Sequence, residues 1–313
     1  MRRCGADVTR GIEKTHPIGQ PLLGIALLVA ALQLLPISDA GAKFVSLSLP
    51  VLQVIWARFF FHCVLTGTYC ASRYGVRVLV PRLASVVFLR GAALFATVGF
   101  FYATLRHLPM TTTLTLWFVS PFILTLMAVF IFKERVSLIG WCAVAVGFFG
   151  IVIANPPDLV AFQWAYLTGL AAGCFYAVFL LMTRVLDEDL PPAVSVYQTG
   201  IVGCIVSTAI VTTLWVFPTP TQWIMLVAIG FIAALAHLLI IRAFQHADAS
   251  TLAPFTYAEV IAAAVLDFAV FGNVPSIRTV LGLVLILISA VVIAVRVKPT
   301  DASPTEIQAR EAP

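Results

Sequence analysis

Charge is what this chain has least of. Asp, Glu, Lys and Arg make up 11% of its 313 residues, 61% are hydrophobic, and mean hydropathy is +1.03. No soluble domain of this length needs so apolar a surface, which excludes an ordinary soluble enzyme. The six cysteines (Cys4, Cys63, Cys70, Cys142, Cys174, Cys204) form no CxxC pair and mostly fall in apolar stretches, where a thiol acts as a small apolar group; neither disulfides nor a metal site are expected. HExxH, GxSxG and Walker-type glycine loops are missing, so an enzyme, soluble or intramembrane, is the weaker alternative and no nucleotide-binding segment is seen. Ten-residue segments of alternating hydrophobicity are missing as well, which argues against a membrane barrel.

What the chain has instead is long apolar runs. Ten of them, at roughly 21 to 45, 50 to 71, 83 to 105, 109 to 132, 136 to 155, 163 to 183, 192 to 216, 222 to 244, 250 to 272 and 279 to 296, are each about the length of a bilayer-spanning helix. Helices are the expected solution because lipid leaves backbone groups no water to bond. The breaks between runs are short and polar, and none holds a separate soluble domain. The first run is too long for a removed signal peptide and lacks a small-residue cleavage site.

With the N-terminus inside, Arg2, Arg3, Arg10, Lys14, Arg73, Arg77, Arg82, Lys133, Arg135, Arg184, Arg242, Arg296, Lys298 and Arg310 fall on the cytoplasmic side, against Lys43, Arg106 and Arg278 outside. Both termini are therefore expected in the cytoplasm. The net charge of +5 reflects this topology, not nucleic-acid binding.

The second half of the chain repeats the first. A shift of 139 residues sets Arg106-His107 through Ala154 on Gln245-His246 through Ile293 without a gap, and the break at Lys133-Glu134-Arg135 meets Gly272-Asn273-Val274. A shift of 141 sets Leu49-Pro50 on Leu190-Pro191. The expected organisation is a cytoplasmic segment 1–19, a first repeat 20–155, a second repeat 156–297 and a cytoplasmic tail 298–313. Five spans per repeat is an odd number, so the second copy enters the membrane inverted, which places a solute site near the midplane between the halves. The fold class expected is an all-α membrane protein of ten transmembrane helices in two inverted five-helix repeats.

Leu108-Pro109, Ser120-Pro121, Phe132-Lys133-Glu134-Arg135 and Gly147-Phe148-Phe149-Gly150, together with Asp39 to Lys43 and then Gln53 and Arg58, resemble the drug/metabolite transporters with paired EamA domains. The resemblance covers nearly all of residues 20–297. It implies an inner-membrane secondary transporter of a small organic solute, nearest a branch that includes riboflavin and S-adenosylmethionine carriers, with riboflavin uptake the first choice and S-adenosylmethionine or an amino acid behind it. Where the family usually carries Glu before its last helix, this chain has Asn273.

Ionisable groups inside the spans are candidates for function, since each costs from about 2.5 kcal/mol upward in a bilayer unless it reaches an interface. Arg58 and His62, one turn apart on the second span, share a face. Arg58 is read as holding an anionic group of the solute, or as one member of a structural ion pair; His62 as a proton carrier or a hydrogen-bonded interior histidine. Glu259 and Asp267 lie two turns apart on the ninth span. Glu259 is the candidate for proton coupling or for a cationic solute group, with a buried pair to Arg58 as the alternative. Asp39 stands four residues before Lys43, at the spacing of a local helix pair. Arg90 is placed to snorkel inward, and His237 is read as a packed histidine.

Under the repeat shifts Arg58 corresponds to Thr199 and Glu259 to Ser120, so cations are expected in the first half and acids in the second. The fifth and tenth spans, free of interior charge, are expected outside the cavity. Trp117 and Tyr257 lead the aromatic residues that would stack a flat ring, and Gly169 with Gly173 would let helices approach closely. The expected partners are a small-molecule solute and the lipid bilayer, with no cofactor and no nucleic acid; a homodimer is admissible.

Overall fold

The computed structural model describes residues 21–80, 85–132, 138–155, 164–185, 191–247, 252, 255 and 258–296. Among these the regular elements are all helical: α1 (Pro21–Ser46), α2 (Val51–Tyr74), α3 (Ser85–His107), α4 (Met110–Trp117), α5 (Ser120–Phe132), α6 (Leu138–Ala154), α7 (Trp164–Val185), α8 (Pro192–Val211), α9 (Pro220–His246), α10 (Ala258–Phe271) and α11 (Ile277–Arg296), with short 3-10 turns at Val76–Leu79 and Thr212–Leu214. Seven segments, counting α4 and α5 as one, are long and apolar enough to cross a bilayer, and α6 and the Ile277–Ser289 part of α11 are shorter apolar helices. The expected cytoplasmic segments 1–19 and 298–313 and the Lys133-Glu134-Arg135 break lie outside the described residues.

Helix boundaries follow the polar breaks. Prolines 50, 109 and 191 precede α2, α4 and α8, where a missing N–H costs no helical bond. Thr219 caps α9: its Oγ1 accepts from Gln222 N at 3.3 Å while the Gln222 side chain accepts from Thr219 N at 2.8 Å.

The stretch expected as one span over 109–132 is two helices, parted at Phe118 and Val119. Pro121 is the cause, for it has no N–H to give to the carbonyl of Trp117 one turn back. α7 uses that opening. A Cβ at Gly173 would stand 2.7 Å from the Trp117 carbonyl oxygen, and one at Gly169 would stand 2.7 Å from Leu116 Cδ1, so only glycine allows α7 this close to the break.

The most extensive helix contacts pair α1 with α9, α3 with α7, α2 with α8, and α6 with α11; α10 rests on α1 and α4. α6 and α11 meet through Gly150 and Gly282, where a Cβ on residue 150 would lie 2.7 Å from the Gly282 carbonyl, and Ser289 donates to the Ala143 carbonyl.

One end of the bundle is tied by a buried polar network. Lys43, 8% exposed, donates to the Leu108 carbonyl at 2.8 Å and lies 3.9 Å from Asp267 Oδ1, over the Phe271 ring. Asp267 is fully buried and takes the Thr111 amide and hydroxyl, each at 3.2 Å, on its other oxygen. Asn273 completes the network, donating its side-chain amide to Asp267 at 2.9 Å. The local Asp39–Lys43 pair expected from spacing does not form, because each partner has a better one across the bundle: Asp39 meets Arg58 and Lys43 meets Leu108 and Asp267. Asn273 also gains a reason. A glutamate at its place would set a second carboxylate, with no proton to donate, against Asp267.

Removing one member of a buried pair leaves the other charge uncompensated, at a cost of about 3–5 kcal/mol. Lys43→Met is therefore expected to lower the thermal unfolding midpoint of the detergent-solubilised protein, Asn273→Glu to lower it as well, and Lys43→Met combined with Asp267→Leu to recover most of the loss. A double variant less stable than Lys43→Met alone would show that the network is not held by charge balance.

Candidate functional site

A cavity of about 550 Å³ lies within the bundle. Its described lining comes from α1 to α5 and α7 to α10, with nothing from α6 or α11. It reaches Thr183, Ser195 and Phe244, each within one turn of a helix end on the side where α1 begins. On the opposite side it stops short of the helix ends, beneath Asp39, Arg58 and Tyr102.

These three residues bring α1, α2 and α3 together. Arg58 Nη1 donates to Asp39 Oδ1 at 2.8 Å and to the Tyr102 hydroxyl, and the Tyr102 hydroxyl donates to the same Asp39 oxygen at 3.2 Å. Arg58 also reaches Ser38 Oγ at 3.4 Å, and Ser38 donates to the Ile229 carbonyl on α9 at 2.9 Å. A charge-assisted triangle of this kind satisfies a guanidinium and a carboxylate that the bilayer would otherwise leave costly. Arg58 thus takes the ion-pair reading, with Asp39 and not Glu259 as its partner. The first half of the chain supplies its own acid, so the expected division of cations and acids between the halves does not hold.

Glu259 sits in the first turn of α10 and faces the cavity. Arg58 and Asp39 are the charged groups near enough to act on it, but it forms no hydrogen bond or ion pair with the described residues. A carboxylate left free in a cavity wall is available to a solute or a proton.

An aromatic wall stands in the same cavity. The Trp117 and Tyr176 rings are 4.4 Å apart at their centroids, and Tyr176 stacks on Phe179 at 5.6 Å. The opening at the α4–α5 break positions Trp117, the last residue of α4. Tyr257, paired with Trp117 in the sequence reading, lies outside the described residues.

His62 and His237 also line the cavity, edge to face at 5.3 Å, with His237 Nδ1 2.7 Å from the Ala233 carbonyl. Gly200 packs on His62, where a Cβ would come within 3.2 Å of the ring. Arg90 does not snorkel. It is 3% exposed and crosses to α8, donating to Ser195 Oγ at 2.8 Å and to the Ser195 carbonyl at 2.7 Å.

The structure thus brings Arg58, His62, Glu259, Asp39 and Trp117 into one cavity and puts Asp267 outside it, in the Lys43 network. Thr199 and Ser120, which the repeat shifts match to Arg58 and Glu259, also line the cavity. Sequence reading counted Tyr102 only among the aromatic residues that could stack a flat ring, not as a partner of Arg58, and gave Ser195 no role. Tyr102 shares a helical face with Arg90, Leu94, Thr97, Val98 and Phe101, and that spacing was the available signal.

The EamA-like transporter family matches residues 163–295, within the expected second repeat, so Asn273 is no obstacle to the match. The chain is similar to an S-adenosylmethionine uptake transporter of Rickettsia prowazekii, 25% identical over 287 residues that cover 92% of this chain and 97% of that one. It is similar also to a riboflavin transporter of Vibrio cholerae, 29% identical over 189 residues, 60% of this chain and 63% of the relative. A chain of known crystal structure shares the fold with a TM-score of 0.59 and 19% identity, covering 87% of this chain and 94% of that one. Apolar helices and these similarities together support a multi-pass membrane protein similar to the EamA-type transporters of the drug/metabolite transporter superfamily.

Proposed function

We propose that this transporter is an inner-membrane carrier of a small organic metabolite that works by alternating access, built as ten spans in two inverted repeats over 20–155 and 156–297 with both termini in the cytoplasm. The helix pairing supports the repeat reading. Exchanging the halves turns the α1–α9 contact into α7–α3 and returns α2–α8 and α6–α11 to themselves. The shift of 139 likewise turns the Ala143–Ser289 contact into Gly282–Gly150, and both contacts exist. With the N-terminus inside, the cavity reaches the cytoplasmic side and the Arg58 and Lys43 clusters close the outer side.

The observation that carries the solute reading is the Glu259 carboxylate, unpaired among the described residues, in a cavity with an aromatic wall. A solute with a flat ring and a cationic group fits that combination, the cation meeting carboxylate and ring faces together. S-adenosylmethionine, with its adenine, sulfonium and ammonium, is therefore preferred. Riboflavin, the first choice on sequence resemblance, remains the second reading; the aromatic wall and the similarity to a riboflavin transporter favour it, but it brings no cation for Glu259.

Uptake of labelled S-adenosylmethionine and labelled riboflavin, in bacteria lacking their own import, tests the reading. Saturable S-adenosylmethionine uptake is expected, reduced at least about tenfold in Glu259→Gln, as loss of one charge-assisted contact implies. Uptake of riboflavin alone, unaffected by Glu259→Gln, would transfer the assignment to the second reading.

Arg58→Ala is expected to abolish uptake of either solute while the protein still reaches the membrane. Arg58→Ala at full activity would remove the Asp39–Arg58–Tyr102 triangle from the transport cycle.

A further inference from the structure

The acids of the described residues are Asp39, Glu259 and Asp267, and none of them accompanies Arg90. Asp39 is engaged by Arg58, Asp267 by Lys43, Thr111 and Asn273, and Glu259 has Asp39 and Arg58 as its charged neighbours. Arg90 nevertheless carries its guanidinium into a wall of the cavity at 3% exposure. Its hydrogen bonds go to one neutral residue, Ser195, and its Nε has no partner. A buried cation is stable when an anion neutralises it, and a hydroxyl with a carbonyl neutralises nothing. Among the described residues, the Glu259 carboxylate and the Arg90 guanidinium thus line the cavity without opposite charges of their own.

We infer that Arg90, held by Ser195, is a second solute subsite that takes the carboxylate of a zwitterionic solute. The inference rests on the carrier reading above and narrows its substrate class: one molecule bearing a cation for Glu259, a carboxylate for Arg90, and an apolar or aromatic part for the Trp117–Tyr176 wall. Ser195 fixes the guanidinium on α8, so the subsite joins α3 of the first half to α8 of the second. The solute's carboxylate then bridges the two halves at the end of the cavity remote from the Asp39–Arg58–Tyr102 triangle. Arginine suits the task because its planar fork accepts a carboxylate while keeping a bond to a neighbour.

The test compares two probes that differ in this one group, S-adenosylmethionine and its decarboxylated form, with riboflavin as a third, for binding to the purified protein in lipid nanodiscs. Wild type is expected to prefer S-adenosylmethionine over the decarboxylated form by about 10- to 100-fold, the range for a charge-assisted contact. In Arg90→Gln the preference is expected to fall to near one while affinity for the decarboxylated form stays within about twofold; unchanged binding of that probe also shows that the variant is folded. Arg90→Lys is expected to restore part of the preference. If Arg90→Gln keeps the preference, or weakens both probes equally, Arg90 is a structural residue and the inference is overturned. Binding of riboflavin but neither adenosyl probe overturns it while leaving the carrier reading standing, and binding of none overturns it together with both solute readings.

Discussion

A guanidinium in the interior of an apolar bundle must be neutralised where it sits, and Arg58 is neutralised by convergence. Asp39 from α1 and Tyr102 from α3 meet it from two sides, and Ser38 extends the contact to α9. That requirement fixes the relative position of three helices and closes the cavity on one side. It also determines what remains inside: with Asp39 committed to Arg58, Glu259 and Arg90 face the cavity without an opposite charge among the described residues.

The charged groups therefore divide by depth into two sets. Those on the closed side, the Arg58 triangle and the Lys43–Asp267 network, are internally balanced, and breaking them carries the desolvation cost of each exposed or orphaned charge. Those in the cavity have no opposite charge among the described residues and, on the proposed reading, gain by meeting a solute. In an alternating-access cycle this is the arrangement a carrier requires, because solute binding supplies charge balance inside the cavity that can offset loss of the closed-side contacts when the other side opens. The glycines at 169 and 173 contribute by setting α7 directly on the α4–α5 break, so Tyr176 reaches Trp117 and the aromatic wall is continuous across the two halves.

The apolar runs made the helices legible, and the proposed repeat accounts for their pairing. Individual side chains were readable to the extent that their burial cost demanded a purpose: Arg58, His62, Glu259, Asp39 and Trp117 all reach the cavity. What sequence spacing missed was partnership. Asp39 and Lys43 stand one turn apart, but spacing along one helix says nothing of a stronger partner on another, and both found theirs across the bundle. Asp267 looked like Glu259's companion, yet two turns of helix carried it out of the cavity into a different network. Pro121 was in view only within the Ser120-Pro121 motif and the span was read unbroken, and the close approach of Gly173 to the freed Trp117 carbonyl depends on where α7 lies, which no local pattern states.

The central claim is that this cavity is exposed in turn to each side of the membrane. Ser120 lines it at the position repeat-related to Glu259, and a single Ser120→Cys in a cysteine-free chain reports its access directly. An impermeant thiol reagent applied to intact cells and to inverted membrane vesicles is predicted to label this cysteine from both sides, with S-adenosylmethionine protecting it from either. Labelling from one side only, under every solute condition, would contradict the account.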